Sequence, residues 1–243
     1  MRSLKTLSKM AGLGYLIIFI TGIYANFFVL ENLIVAGDAA ASVGNIARND
    51  SLFRSGILSF VIMVMFDVFL SWALYLLLEP VNKNVSLLSG WLRLVNSTIF
   101  AVALYHLLAI LHLVNSDELR TLLDSGQMHA QVMIFFHAFN QTWLVGLVFF
   151  GLHLLTLGYL ILKSGYIPKI IGILLIVAAF GYLVDSFAHF LLPDYSDYKD
   201  IFLMIVVIPG VIGELSLTVW LLLKGVQAGS SDHISIESGR KEK

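Results

Sequence analysis

Long apolar runs separated by short polar connections dominate the pattern along this chain. A helix needs about 20 apolar residues to cross the hydrocarbon core of a bilayer, which is about 30 Å thick, and six runs reach that length. The fourth run is longer than one span requires, which indicates a steep tilt or an interfacial first segment around Met128–Ile134. The pattern therefore predicts an all-α integral membrane bundle of six transmembrane helices, with residues 1–226 as one polytopic domain. The six runs are 10–35, 55–79, 87–114, 129–162, 169–192 and 201–224.

Basic residues are distributed unevenly between the connections. Eleven of the 15 lie at the termini or beside the second and fourth connections, and four lie in the first, third and fifth. Cytoplasmic segments of membrane proteins are enriched in Lys and Arg, so this asymmetry predicts that both termini are cytoplasmic. The four on the opposite side are Arg48, Arg54, Arg120 and Lys199.

Composition agrees with a membrane location and excludes several kinds of site. Hydrophobic residues make up 58% of the chain and charged residues 13%, and the mean hydropathy is +0.88. A net charge of −1 gives no reason to expect a nucleic-acid partner. Without cysteine there are no disulfides, thiolate metal sites, covalently attached haem or cysteine nucleophiles. The sequence requires no cofactor, and its seven histidines and its carboxylates are the remaining strong metal ligands.

Two polar segments lie outside the predicted spans. In residues 35–52, Asp38 is a plausible N-cap, and Ala39, Val43 and Ile46 recur at helical spacing, which predicts a short helix on the outer surface. The segment 227–243 is polar and poor in large apolar residues, which predicts a disordered cytoplasmic tail.

The even-numbered spans end in similar sequences, which suggests an internal repeat. A leucine followed by a hydroxyl residue precedes an aliphatic run at Leu70–Ser71, Leu155–Thr156 and Leu215–Ser216. Three related helical hairpins would explain this pattern, although leucine-rich runs also match by chance.

Five short stretches carry a resemblance to a known family. They are Leu74–Lys83, Phe149–His153, Gly181–Ser186, Gly213–Ser216 and Gly37–Ala40. With them the chain resembles the bacterial multi-pass membrane proteins of the domain-of-unknown-function family numbered 4386, over nearly all of residues 10–226. The resemblance implies a bacterial inner-membrane location and assigns no site residues.

Three ionisable side chains fall near the middle of predicted spans: Asp67, His153 and Glu214. An ionisable group at that depth costs about 2.5–3.5 kcal/mol on insertion scales, so each suggests a function. Together they predict a site for a small ligand, a proton or an ion. The structural alternative is that each side chain bonds a neighbouring helix and holds the bundle together.

A proline lies close to one of these groups. Pro209 precedes Glu214 by about one turn and leaves the carbonyl of Ile205 without its usual helical donor. A helix broken beside a buried carboxylate is one way to build an ion site, and a kink that serves packing alone is equally common.

A second set of polar residues lies towards the outer ends of the spans: His106, His137, Asp185 and His189. Asp185 and His189 are four residues apart and share a helix face. These residue types fit a zinc site in which an aspartate supports the histidine ligands, or axial haem ligands. The histidines also fit an ordinary role as hydrated groups near helix ends.

Arg93 lies near the inner end of the third span, on one stripe with Asn96 and Ser97. Because long basic side chains reach from helix ends to the bilayer surface, we expect Arg93 to extend to lipid phosphates.

The sequence as a whole predicts an inner-membrane protein whose buried polar residues bind a small ligand, proton or ion, as in a transporter. Two alternatives stay open: a membrane-embedded enzyme that uses the outer histidines and Asp185 with a metal or haem, and an accessory subunit without chemistry of its own. The expected partners are the lipid bilayer and a lipid or small hydrophobic ligand, and the sequence does not indicate an oligomeric state.

Overall fold

The computed structural model describes residues 4–225, and that part of the chain is helical with short connections and no regular strand. The fold class predicted from the sequence is confirmed. The predicted tail at 227–243 lies outside the described residues. The elements are α1 (Leu4–Ile23), a π-helical segment (Tyr24–Leu30), α2 (Glu31–Leu33), α3 (Ala39–Arg48), α4 (Asp50–Leu78), α5 (Lys83–Asn115), α6 (Asp117–Leu122), α7 (Ser125–Ser164), α8 (Lys169–Leu191) and α9 (Tyr195–Leu223).

Six helical stretches of the described chain are long and apolar enough to cross a membrane, as predicted. Helices suit this role because their backbone groups are hydrogen-bonded within the segment, where a bilayer offers no water. The fourth stretch is a single helix of 40 residues, which corresponds to a length of about 60 Å. The six stretches are Leu4–Leu33, Asp50–Leu78, Lys83–Asn115, Ser125–Ser164, Lys169–Leu191 and Met204–Leu223.

The short helix predicted between the first two spans is α3. The Asp38 side chain caps it by accepting a hydrogen bond from the backbone N–H of Ala41 at 2.8 Å. Val43 and Ile46, two of the residues that indicated helical spacing, are buried. The cap therefore begins the helix and its apolar face holds it in place.

The chain forms two compact units, and four helices, α1, α4, α5 and α7, contribute to both. Within the described residues, unit 1 comprises residues 4–16, 68–95 and 147–225, and unit 2 comprises residues 17–67 and 96–146.

Unit 1 is held together by close helix contacts and by hydroxyl groups that bond to backbone carbonyls. Ser71 on α4 donates to the carbonyl of Gly90 on α5 at 2.6 Å, and Ser8 on α1 donates to the carbonyl of Leu221 on α9. Gly12 leaves space for Leu222, because a Cβ atom on residue 12 would lie only 2.8 Å from the Leu222 side chain. Small residues and neutral hydrogen bonds of this kind bring membrane helices close together.

Unit 2 has an aromatic core. Trp143 on α7 stacks on Phe100 of α5, with ring centroids 3.7 Å apart, and also contacts Phe60 and Phe139. Gly146, three residues after Trp143, leaves room for the ring of Phe100. Large aromatic surfaces therefore supply much of the buried apolar area of this unit.

Helix α9 continues through Pro209. The carbonyl of Ile205, which the proline deprives of its helical donor, faces Gly181 of α8, where a Cβ would lie 2.7 Å from the carbonyl oxygen. The glycine therefore permits α8 to approach α9 at the level of the proline.

Candidate functional site

Arg93 is the most buried lysine or arginine side chain described, and it lies inside unit 1. Only 1% of its surface is exposed, although it belongs to a helix that is long and apolar enough to span a membrane. Its Nη1 donates to the hydroxyl of Tyr15 at 3.3 Å and to Nε2 of His153 at 3.0 Å. The expectation that Arg93 reaches lipid phosphates is therefore wrong, because neighbouring helices bind the guanidinium in the interior.

Two aromatic rings also contact the guanidinium. Its central carbon lies 5.1 Å from the ring centroid of Tyr15 and 5.6 Å from that of Phe150. Both distances are within the range of a cation–π interaction, which is strongest where water is excluded. Tyr15 thus binds Arg93 through both its hydroxyl group and its ring.

The hydrogen bonds of His153 define its tautomer. A guanidinium has only donors, so Nε2 of His153 accepts from Arg93 and carries no proton. The proton is on Nδ1, which lies 2.9 Å from the carbonyl oxygen of Ser89 and 3.0 Å from the Ser89 hydroxyl. A second proton would remove the Arg93 hydrogen bond and place two positive charges about 3 Å apart. His153 is therefore a neutral acceptor here, and it orients Arg93.

Glu214 lies in the same unit and has a different hydrogen-bond partner. It is 9% exposed, and the hydroxyl of Tyr182 on α8 hydrogen-bonds its carboxyl group. The Phe150 ring contacts the ring of Tyr182, with centroids 5.2 Å apart, and that of His153, with centroids 6.0 Å apart. Phe150 is therefore a common neighbour of the Arg93–His153 pair and of the Tyr182–Glu214 pair.

Asp67 belongs to unit 2 and forms a polar centre with α5. Its Oδ2 accepts a hydrogen bond from the Ser97 hydroxyl at 2.8 Å and another from the Asn96 side-chain amide at 3.1 Å. Asp67 is 4% exposed, and Asn96 and Ser97 are fully buried. One oxygen of the Asp67 side chain therefore accepts hydrogen bonds from two neutral donors of α5. These bonds agree with the structural alternative, in which a buried ionisable group bonds a neighbouring helix.

The residues of the predicted outer metal site are found in different surroundings. Asp185 accepts a hydrogen bond from the Tyr195 hydroxyl at 2.6 Å, and the ring of Tyr195 packs against His189. Burial and the bond to Asp185 raise the pKa of Tyr195. In unit 2, His106 lies 3.4 Å from the Thr142 hydroxyl, and His137 is exposed.

Between residues 4 and 225, no three His, Asp or Glu side chains are grouped as metal ligands. The metal prediction for these positions therefore gains no support from their arrangement, and the haem prediction stays untested.

We call Arg93 and the side chains that surround it in unit 1 the Arg93 site. Sequence reasoning did not identify four of these side chains. Tyr15, Ser89, Phe150 and Tyr182 come from four helices, and no spacing along the chain relates them. One signal was present, since Ser89 and Arg93 are four residues apart and share a face of α5. A serine one turn from an arginine inside an apolar run is thus a feature that could have indicated a buried arginine.

Comparison with known families identifies the group to which this chain is related. The model of the family described as Domain of unknown function (DUF4386) matches residues 10–225. The chain belongs to the DUF4386 family. All members of the Arg93 site and the Asp67 centre lie within the matched range, so both are parts of the family domain.

A relative of this DUF4386 chain is found in Archaeoglobus fulgidus and bears the name "Uncharacterized protein". It is 32% identical over 169 residues, which cover 70% of this chain and 83% of the relative. Because that organism is archaeal, a bacterial inner membrane stays a prediction for this chain. No solved structure matches.

Proposed function

We propose that this protein is a transporter-like membrane protein that binds a small organic anion, with Arg93 as the charged group that recognises it. The observation that supports this function is the burial of a permanently charged guanidinium, 1% exposed, inside a span. A charged side chain inside a span is costly and rare, so its presence favours a functional role.

The surroundings of Arg93 suit a binding group better than a packing group. Where unit 1 only joins two helices, it uses neutral hydroxyls such as Ser71 and Ser8. Arg93 instead has residues that orient it, because Ser89 sets the tautomer of His153 and His153 then accepts from Nη1. Fixing a recognition group through its neighbours is typical of binding sites.

The chemistry of the site favours a carboxylate with an apolar or aromatic body. A guanidinium presents parallel N–H donors that match the two oxygens of a carboxylate. The rings of Tyr15 and Phe150 provide an apolar surface beside those donors. In this proposal His153 positions Arg93, Glu214 is a proton-accepting group bonded to Tyr182, and Asp67 forms a second polar centre in unit 2.

Ligand-induced stabilisation of the purified protein tests the proposal, with benzoate as the probe and chloride as the comparison anion. A ligand at 100 times its Kd stabilises the folded state by about 2.7 kcal/mol. We expect benzoate to raise the melting temperature of the wild type, Arg93→Gln to abolish this rise, and Arg93→Lys to weaken binding. An equal rise in Arg93→Gln, or the same rise with chloride, would contradict the proposal. Benzoate uptake into proteoliposomes then distinguishes a carrier from a receptor.

An accessory, packing role is the second candidate, and the Asp67 centre favours it. There a buried carboxyl group is matched by two donors on α5, which is the arrangement expected of a group that only joins helices. If packing is the whole function, substitutions at Arg93 will lower stability and no anion will affect the wild type. The same titration therefore separates the two candidates.

A further inference from the structure

An apolar groove runs between α8 and α9 of unit 1. It has a volume of about 490 Å³, which is within the usual range of ligand sites. Its walls include Ile170 and Ile171 of α8 and Leu215 and Val219 of α9. Ile170, Leu215 and Val219 are exposed, so a hydrocarbon chain can reach this apolar surface.

A tryptophan and a lysine lie at the end of the groove where α9 ends. Trp220 and Lys224 both line it and are four residues apart, so they lie on one face of α9. The candidate span ends at Leu223, which places the Lys224 amine directly after the apolar segment. Tryptophan and lysine in this order are typical of the boundary between hydrocarbon and head groups.

The charge at this end has no partner of its own in the described part of the chain. Between residues 4 and 225, no carboxylate lies within ion-pairing distance of Lys224. An ammonium group in this position attracts a phosphate as a point charge. The groove thus has apolar walls along the span. At one end it carries a cation, at the level where the phosphate of a lipid head group would lie.

We infer that this groove, which Lys224 closes at one end, binds an anionic phospholipid. One acyl chain lies along Ile170 and Val219, and the phosphate of the head group pairs with Lys224. The lipid belongs to the leaflet at the C-terminal end of α9. This inference is independent of anion binding at Arg93, because the two sites share no residue.

Quenching of Trp220 fluorescence by lipids with brominated acyl chains tests the inference. The protein is reconstituted in phosphatidylcholine vesicles that contain increasing fractions of brominated phosphatidylglycerol or, in parallel, brominated phosphatidylcholine. Trp220→Phe identifies the part of the signal that comes from the groove, since the chain has four tryptophans. We expect phosphatidylglycerol to quench at lower mole fractions than phosphatidylcholine does.

Charge variants establish whether Lys224 causes the preference. One basic residue near a membrane surface contributes about a fivefold change in binding of an anionic lipid. The Lys224→Gln variant should lose this fivefold preference for the anionic lipid, and the Lys224→Arg variant should keep it. Lys163→Gln is the matched control, because Lys163 is an exposed lysine at the end of α7 that does not line the groove. Equal quenching by the two lipids, or an unchanged preference in Lys224→Gln, would overturn the inference.

Discussion

Nη1 of Arg93 donates a hydrogen bond to Nε2 of His153 at 3.0 Å, so the imidazole is a neutral acceptor with its proton on Nδ1. The sequence had suggested His153, together with Asp67 and Glu214, as part of a site for a small ligand, a proton or an ion. The structure shows it as the residue that holds a buried cation in one orientation. The ionisable group with the permanent charge is Arg93.

His153→Ala should destabilise the protein by about 1.5–3 kcal/mol, because it leaves a buried charged donor without one acceptor. His153→Gln should recover part of this loss, since a side-chain carbonyl can accept from Arg93. Unfolding in detergent micelles provides the measurement. His112→Ala, at an exposed position, is the control and should change stability by less than about 0.5 kcal/mol. Equal effects of the Ala and Gln variants would contradict the assigned hydrogen bond.

Asp67 and Ser97 should be energetically coupled. Ser97→Ala removes a 2.8 Å bond to Oδ2 and should cost about 0.6–1.7 kcal/mol, the range of polar contacts between membrane helices. In combination with Asp67→Asn the losses should not add, because both changes weaken the same bond. Ser55→Ala is the additive control, since Ser55 lies about 18 Å along α4 from Asp67. An additive result for Ser97 would show that the bond has little energetic weight.

Gly181→Ala should destabilise the contact between α8 and α9. A Cβ at this position would lie 2.7 Å from the carbonyl oxygen of Ile205, and backbone atoms cannot move aside as a flexible side chain can. We expect a loss of about 1–3 kcal/mol in unfolding experiments. Gly44→Ala on α3 is the control, because its nearest neighbour is the flexible end of Arg48, and it should be neutral or stabilising.

Tyr166 should stabilise the protein in a pH-dependent way. It lies between α7 and α8 and donates to the carbonyl of Leu77 at 2.7 Å, and burial raises its pKa above the ordinary value of 10.0. The protonated phenol forms this bond, so its contribution is complete below pH 10 and is lost as the pH rises through the raised pKa. The stability difference between wild type and Tyr166→Phe should therefore be constant at neutral pH and decrease at alkaline pH. Tyr105→Phe, at an exposed position, should show no such trend.

The orientation in the membrane can be checked with reporter fusions. Fusions at Lys83, Ser164 and the C-terminal tail should report the cytoplasm, and fusions at Asn45, Ser125 and Ser196 should report the opposite side. The reason is that eleven basic residues lie on the predicted cytoplasmic side and only four lie on the opposite side. A cytoplasmic signal at Ser125 would contradict the six-span topology.

The helical architecture was predictable because its signals are local. An apolar run of 20 or more residues has few alternatives to a membrane helix, and Asp38 caps α3 through an amide only three residues away. The burial of Asp67, His153 and Glu214 also followed from their places within apolar runs. Such features depend on composition and on spacing within one helix, and both can be read along the chain.

The partners of those buried groups were decided by the tertiary structure alone. Arg93 lies near the end of an apolar run, where a long side chain can extend to the bilayer surface or turn inward. The packing of Tyr15 and His153 beside it determined the second outcome. Periodicity shows which face of a helix a residue occupies, and it does not show which helix that face meets. The neutral tautomer of His153, the space at Gly181 for Ile205 and the apolar groove at Lys224 all depend on contacts between helices, so they appear only when the helices are packed.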